Sequence, residues 1–198
     1  MSGRTRSAGF PALMAAAEDL VPLVEEDAAE AERISRQTDR VVAALRETGI
    51  YAMLLPRALG GAELAFSEAM RIVERLSWAD GSAGWCTMVA NVQAASGGAH
   101  LPLEGARLVY GNGPDVSMAG QGVPSGRARR IEGGYVITGR WSYGSGIHHA
   151  EWVHSGCIVM DGERPVLNAD GAPEITVAHH PKSSITLLGN WGYAAESS

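Results

Sequence analysis

The spacing of apolar residues changes once along the chain, near the breaker cluster "GNGPD" at 111–115, and that change limits the fold more than any other feature. Before it, apolar residues recur at helical spacing. From Val116 onward they alternate with a period of two. Helices followed by strands, rather than interleaved with them, point to an α+β fold with segregated elements. A boundary at the cluster gives an N-terminal helical domain over 1–112 and a β-domain over 113–198. A chain of 198 residues buries roughly 70 % of its unfolded surface, so it needs no disulfide or metal to hold a core.

Three long helices are expected. In "AERISRQTDRVVAALRETGI", Ile34, Thr38, Val41, Val42 and Leu45 fall on one helical face, and Gly49 is a suitable stop. The connector "LLPRALGGAELAF" carries the breakers Pro56 and Gly60-Gly61. Ser67 can cap the next helix, with Glu68 at the positive end of its dipole and Ala69, Ile72, Val73 and Leu76 as its apolar face. The third helix begins in "ADGSAGW", capped by Asp80 or Ser82. Its small residues Gly81, Ala83 and Gly84 allow close approach to a neighbour, and Trp85, Met88, Val89 and Val92 share one face. Thr87, Asn91 and Gln93 are expected mainly to face water. A short helix follows over 104–110.

In the β-region "RARRIEGGYVITGRWSY" reads as a hairpin turning at Gly133-Gly134. Tyr135, Ile137, Trp141 and Tyr143 then line one face of its second strand. "EWVHSGCIVM" and "EITVAHH" supply further strands.

Several functions are disfavoured. A net charge of −6 argues against nucleic acid as a partner, since phosphate neutralisation needs a basic face. The one basic cluster, Arg127, Arg129 and Arg130, reads as a solvated strand edge. No apolar run approaches the ~20 residues that span a bilayer, and no signal-peptide core is present, so the expectation is a cytoplasmic protein away from membranes. Cys86 and Cys157 lack metal-ligand spacing, and His148, His149 and His154 fit no helical zinc pattern, so no metal is expected. There is no GxSxG elbow, and the glycines at 120, 122 and 126 precede a strand, against a Rossmann site.

The densest unusual stretch is "WSYGSG" at 141–146. A flat conjugated ligand needs a planar apolar neighbour, a few short polar groups and glycines that admit backbone close to its ring, and all three occur here. The residues alone leave two readings open: an aromatic sheet face packed on the helices, or a platform for such a ligand.

Longer passages carry a family resemblance. "LRETGIYAMLLPRALGGAELAFSEAMRIVERLSWADGSAGW" and "GGYVITGRWSYGSGIHHAEWVHSGCIV" resemble the helical passage and the middle-domain hairpin of the acyl-CoA dehydrogenase superfamily. The dehydrogenases' G-x-K-x-W-I-T-N pattern has Trp141, Tyr143 and Ser145 in place of its lysine, tryptophan and threonine. That form is more typical of the flavin-dependent two-component monooxygenases, which hydroxylate phenols and related aromatics. The resemblance covers about 10 to 192.

It implies an all-α N-terminal domain followed by a partial β-barrel middle domain, with the family's C-terminal four-helix bundle absent. It implies a flavin, FAD or FMN, supplied reduced by a separate reductase, and O2 as co-substrate for an aromatic or polycyclic molecule. By the same resemblance Ser117, Gly120 and Gln121 line the flavin, Tyr143 and Gly144 lie against its ring and Ser145 approaches N5. Trp85 and Gln93 face the substrate. Catalytic residues are expected in a part of the family's length beyond this chain, as are most contacts of a homo-oligomer. Two other readings remain: an acyl-CoA dehydrogenase acting on a thioester, and an inactive remnant or interaction subunit.

Overall fold

A computed structural model describes residues 9–189. Its helical part contains α1 (Phe10–Arg33), α2 (Asp39–Thr48), α3 (Phe66–Ala79), α4 (Gly81–His100) and α5 (Leu103–Tyr110). The expected single helix across 31–50 is two helices. It breaks at 34–38 because Thr38 has extended backbone and its Oγ accepts from the Val41 amide at 3.2 Å, capping α2. The same hydroxyl donates to Asp27 of α1 at 2.6 Å, tying the two helices at the break. Val41, Val42 and Leu45 are buried as the spacing requires; Ile34 only closes α1. The start of the second expected helix is also shifted. Ala65, not Ser67, is the N-cap of α3, and Glu68 reaches back to accept from the Ala65 amide at 3.0 Å.

Helix α4 is the largest departure from expectation. Its buried positions are Ala83, Gly84, Thr87, Ala90, Asn91, Gln93, Ala94 and Gly97, so the polar residues face inward. Trp85 and Val92 of the apolar set are 55 % and 41 % exposed, which puts that face outward. The cause is helix–helix distance: α3 crosses so closely that a Cβ on Gly84 would lie 1.9 Å from Ser77 Oγ. Only small residues fit that seam, and buried polar groups must then find partners. Asn91, fully buried, does so by donating to the Ile50 and Thr87 carbonyls at 2.9 Å each and accepting from the Leu54 amide at 3.3 Å. Asp80 caps the helix, accepting from the Ala83 amide at 2.7 Å.

The remaining residues form one mixed sheet of β1 (Met118–Ile131), β2 (Gly134–Thr138), β3 (Trp152–Asp161), β4 (Arg164–Pro165) and β5 (Ile175–Pro181). Its order is β2-β1-β3-β4, with β5 also pairing β3; β1 and β3 are parallel and every other pair antiparallel. Ile131 pairs with Gly134, so the hairpin turns at Glu132-Gly133, one residue earlier than expected. Strand β2 stops at Thr138, and Trp141 and Tyr143 do not continue its face. Trp141 instead folds back over the sheet, its indole N–H donating to the Gly156 carbonyl at 2.8 Å. The core is helical around Leu13, Leu45, Ile50, Ile72 and Leu76, with a second cluster in which Ala52 and Leu55 meet Val109, Tyr110 and Met118.

Two histidines on neighbouring strands, His154 and His179, are paired in register with ring centroids 5.8 Å apart in an edge-on arrangement. Burial, then the neighbouring His179, pushes His154 down to about 4 from an ordinary 6.5. The unfolded chain therefore takes up this proton at higher pH than the native one, so stability is fully present above about pH 6.5 and is lost as pH falls toward 4. The thermal midpoint should drop across that window in wild type and drop less in His154→Phe. An equal drop in both would show that this pair does not carry the acid sensitivity.

Candidate functional site

Residues 139–151 cross from β2 to β3 and carry the "WSYGSG" stretch together with His148 and His149. Arg46 on α2 holds this crossover. Its guanidinium donates to the His149 carbonyl at 2.7 Å, pairs closely with the Glu151 carboxylate and lies 3.9 Å from Asp115. Glu151 passes the tether on, accepting from the Ser117 amide at 2.9 Å at the start of the sheet. Lys182 adds a donation to the His148 carbonyl at 2.8 Å, and His149 donates from Nε2 to the Gln37 carbonyl at 2.7 Å. Within the crossover Tyr143 has a left-handed φ of 58°. That conformation is uncommon for an aromatic residue, and strain of this kind concentrates at functional sites.

Helix α4 reaches the same region with two side-chain donors. The Trp85 indole N–H donates to Ser145 Oγ at 2.9 Å, and Gln93 Nε2 donates to the Gly120 carbonyl at 3.1 Å. Gly120 has φ 132°, and a Cβ there would lie 2.0 Å from the His154 carbonyl oxygen, so only glycine lets β1 run this close to β3. Gln93 Oε1 is buried without a partner.

Two spaces meet at the crossover, sharing Gly144, Ile147 and His148. The first is a cavity of about 90 Å³ between α4, the 35–37 break and residues 144–149, with Trp85, Ser117 and Ser145 in its wall. Burial is the main cause holding His148 and His149 below the ordinary imidazole value, and the Arg36 charge adds to it at each. Burial likewise pushes the Cys86 thiol in this wall up to about 11. The second space is a cleft of about 1020 Å³ over the sheet, bordered by Gly120, Tyr135, Trp141, Tyr143, His154 and His180. Among the described residues no carboxylate lines it; its charged and polar groups are Arg140, histidines and the hydroxyls of Thr138, Ser142, Ser155 and Ser184 among others.

Of the residues singled out from the sequence, Ser117, Ser145 and Trp85 thus border the cavity, Gly120 and Tyr143 the cleft, and Gly144 both. Gln93 is bonded to Gly120 behind the cleft. Gln121 borders neither space; it is half-buried and pairs with Ser155 in the sheet. Arg36 and Gln37 in the cavity wall were not expected, because 34–38 reads as helix interior, and the only local signal for the break is Thr38 followed by an acidic first turn. Replacing Arg46 by methionine should cost about 1–2 kcal/mol, since one partner is half-exposed. Amide hydrogen exchange should accelerate across 144–151 but not in α3; unchanged exchange in the crossover would show that Arg46 does not hold it.

The sequence and fold of this chain match known proteins. A family model described as acyl-CoA dehydrogenase, N-terminal domain, matches residues 13–100. Indole-3-acetate monooxygenase of Pseudomonas putida is 36 % identical over 184 residues, covering 92 % of this chain and 43 % of that protein. The flavin-dependent monooxygenase oxygenase subunit HsaA of Rhodococcus jostii (strain RHA1) is 34 % identical over 151 residues, 74 % of this chain and 38 % of that one. XiaF from Streptomyces sp., solved in complex with FADH2 and glycerol, superposes with a TM-score of 0.79 at 25 % identity over 89 % of this chain and 43 % of the other. The chain therefore spans less than half the length of the curated relatives it matches. The matched N-terminal domain, the shared α+β fold and these relatives together make the chain a member of the acyl-CoA dehydrogenase superfamily, similar over its length to proteins described as monooxygenases.

Proposed function

We propose that this chain is the flavin-holding part of a two-component monooxygenase that hydroxylates an aromatic substrate. One observation carries the reading: a large cleft with aromatic borders opens onto a small cavity at the Gly144–His148 crossover, where a helix-borne indole fixes a serine hydroxyl. The cleft suits a flavin. Its volume is at the upper end of the range for small-molecule sites, and cofactors of this size need a mostly apolar lining with a few placed polar groups. Its hydroxyl, imidazole and guanidinium groups match a ligand rich in acceptors and carrying phosphate.

In this reading Tyr143 and Gly144 lie along the flavin ring and Gly120 supports it from β1, whereas Ser117 stands in the wall of the smaller cavity and Gln121, which borders neither space, is set aside. Ser145 has one acceptor position taken by the Trp85 N–H, a donor-only group, so its own O–H is left to donate to the cofactor. Trp85 is thereby a positioning residue that also walls the substrate space; Gln93 positions Gly120. Tyr51, Ala90 and Met118, buried in the cavity wall, keep bulk water from that side, as a reactive oxygenating centre requires. Bound in its reduced form, the flavin would supply the electrons that activate O2. A separate flavin reductase is the implied partner, and a homo-oligomer in the cytoplasm the implied setting, with 1–112 and 113–198 as its helical and β domains.

A second reading, an interaction subunit, is favoured by the exposed apolar residues Phe66, Trp78, Trp85 and Leu108 on the helical layer, 55–79 % accessible. Anaerobic titration with dithionite-reduced FAD and FMN separates the two. Saturable binding, weakened about 3- to 10-fold by Ser145→Ala through loss of one hydrogen bond, is expected for the oxygenase. Absence of saturable binding by either flavin would favour the interaction subunit.

A further inference from the structure

Two serines at the site are set to opposite hydrogen-bond roles. Ser145 accepts from the Trp85 indole at 2.9 Å, so its O–H remains to donate. Ser155 of β3 borders the larger cleft beside His180 of β5, and a chain of hydrogen bonds fixes its polarity. In the turn after β5, Ser184 Oγ lies 2.7 Å from the Pro181 carbonyl, which can only accept, so the Ser184 proton is committed there. His180 Nδ1, 3.0 Å from Ser184 Oγ, must therefore donate. Burial holds His180 below the ordinary imidazole value, so the ring is neutral at neutral pH. A neutral imidazole carries one ring proton, which leaves Nε2 as an acceptor. Ser155 Oγ, 3.0 Å from that nitrogen, must then donate to it. Among the described residues no other side chain bonds Ser155 Oγ. Toward the cleft it can offer only lone pairs.

We propose that Ser155 determines which redox form of the flavin the cleft prefers, by accepting from a ring N–H that only reduced flavin carries. The inference rests on the flavin reading of the cleft and names what that site selects. Oxidised flavin has a single ring N–H, at N3, and a bare acceptor at N5; reduction places an N–H at N5. A hydroxyl locked as an acceptor gains a bond from the reduced ring and faces a lone pair on the oxidised one. Ser155 is 1 % exposed, so water has little access to serve as a substitute partner. A polar group left facing the wrong partner in a closed site discriminates more strongly than a merely missing contact. His180 and Ser184 act through Ser155 and are positioning residues. Without them the hydroxyl could rotate and serve either redox form.

Anaerobic titration of the full chain with FAD and FMN, each oxidised and dithionite-reduced, tests this at about pH 8, where imidazole is neutral. The midpoint potential of the bound flavin is a second readout. The reduced form should bind at least about tenfold more tightly than the oxidised. That ratio raises the potential of the bound two-electron couple by about 30 mV. Ser155→Ala, with its fold checked by circular dichroism, should abolish the preference and return the potential to that of free flavin. His180→Leu keeps the serine hydroxyl but removes its acceptor, and should lose the preference as well. A merely structural loss at either position would weaken both redox forms alike. Equal binding of the two forms by the wild type, an undiminished preference in Ser155→Ala, or a parallel weakening of both forms would overturn the proposal. Flavin bound without a preference that depends on Ser155 defeats this inference alone. Absence of saturable binding in either form defeats the flavin reading and this inference with it.

Discussion

The pairing of Arg46 with Glu151 is the contact on which the site depends. One guanidinium on α2 joins three parts of the chain that are distant in sequence: the crossover at His149, the entry to β3 at Glu151 and the entry to β1 through Asp115. Glu151 then holds the Ser117 amide, so the same charge pair registers the first strand against the helices. Arg46 is mostly buried and Glu151 half-exposed, so the pair contributes more to placement than to stability. Without it the 144–149 segment would still be tied to the helical layer through His149–Gln37 and Trp85–Ser145, and to the end of β5 through Lys182.

Helix α4 completes the arrangement through an inversion of its usual polarity. Because the seam with α3 admits only small residues, the helix turns Thr87, Asn91 and Gln93 inward and leaves Trp85 and Val92 at its outer side. The inward amides lock the helix to the Ile50–Leu54 turn and to β1. The outward indole is then free to reach sideways to Ser145. Two donors eight residues apart, about 12 Å along the axis, thus fix both a strand and a loop from one rigid element. Sites supported in this way hold their geometry better than sites built on loops alone.

Features governed by local chemistry were legible in the sequence. The change of period near 111–115, the Asp80 cap, the strands over 152–161 and 175–181 and the hairpin itself follow from spacing and turn residues. The pairing of Trp85 with Ser145 brings together two residues that the family resemblance assigns separately, Ser145 to the flavin's N5 and Trp85 to the substrate. Features set by tertiary contact were not legible. The break at 34–38 depends on Thr38 bonding Asp27 of another helix, and the inward turn of Asn91 depends on Gly84 meeting Ser77. Trp141 alternates correctly for a strand face, yet β2 stops at Thr138 and its indole goes to the Gly156 carbonyl. Arg36 and Gln37 became visible as cavity residues only once that break was known.

The most direct test is a crystal structure of the chain with bound flavin. The account predicts ring density in the cleft over the sheet, beside Tyr143 and within hydrogen-bond reach of Ser145 Oγ, with the Trp85–Ser145 bond kept. Flavin density elsewhere on the molecule, or a cleft filled by the chain's own residues when flavin is present in excess, would contradict it.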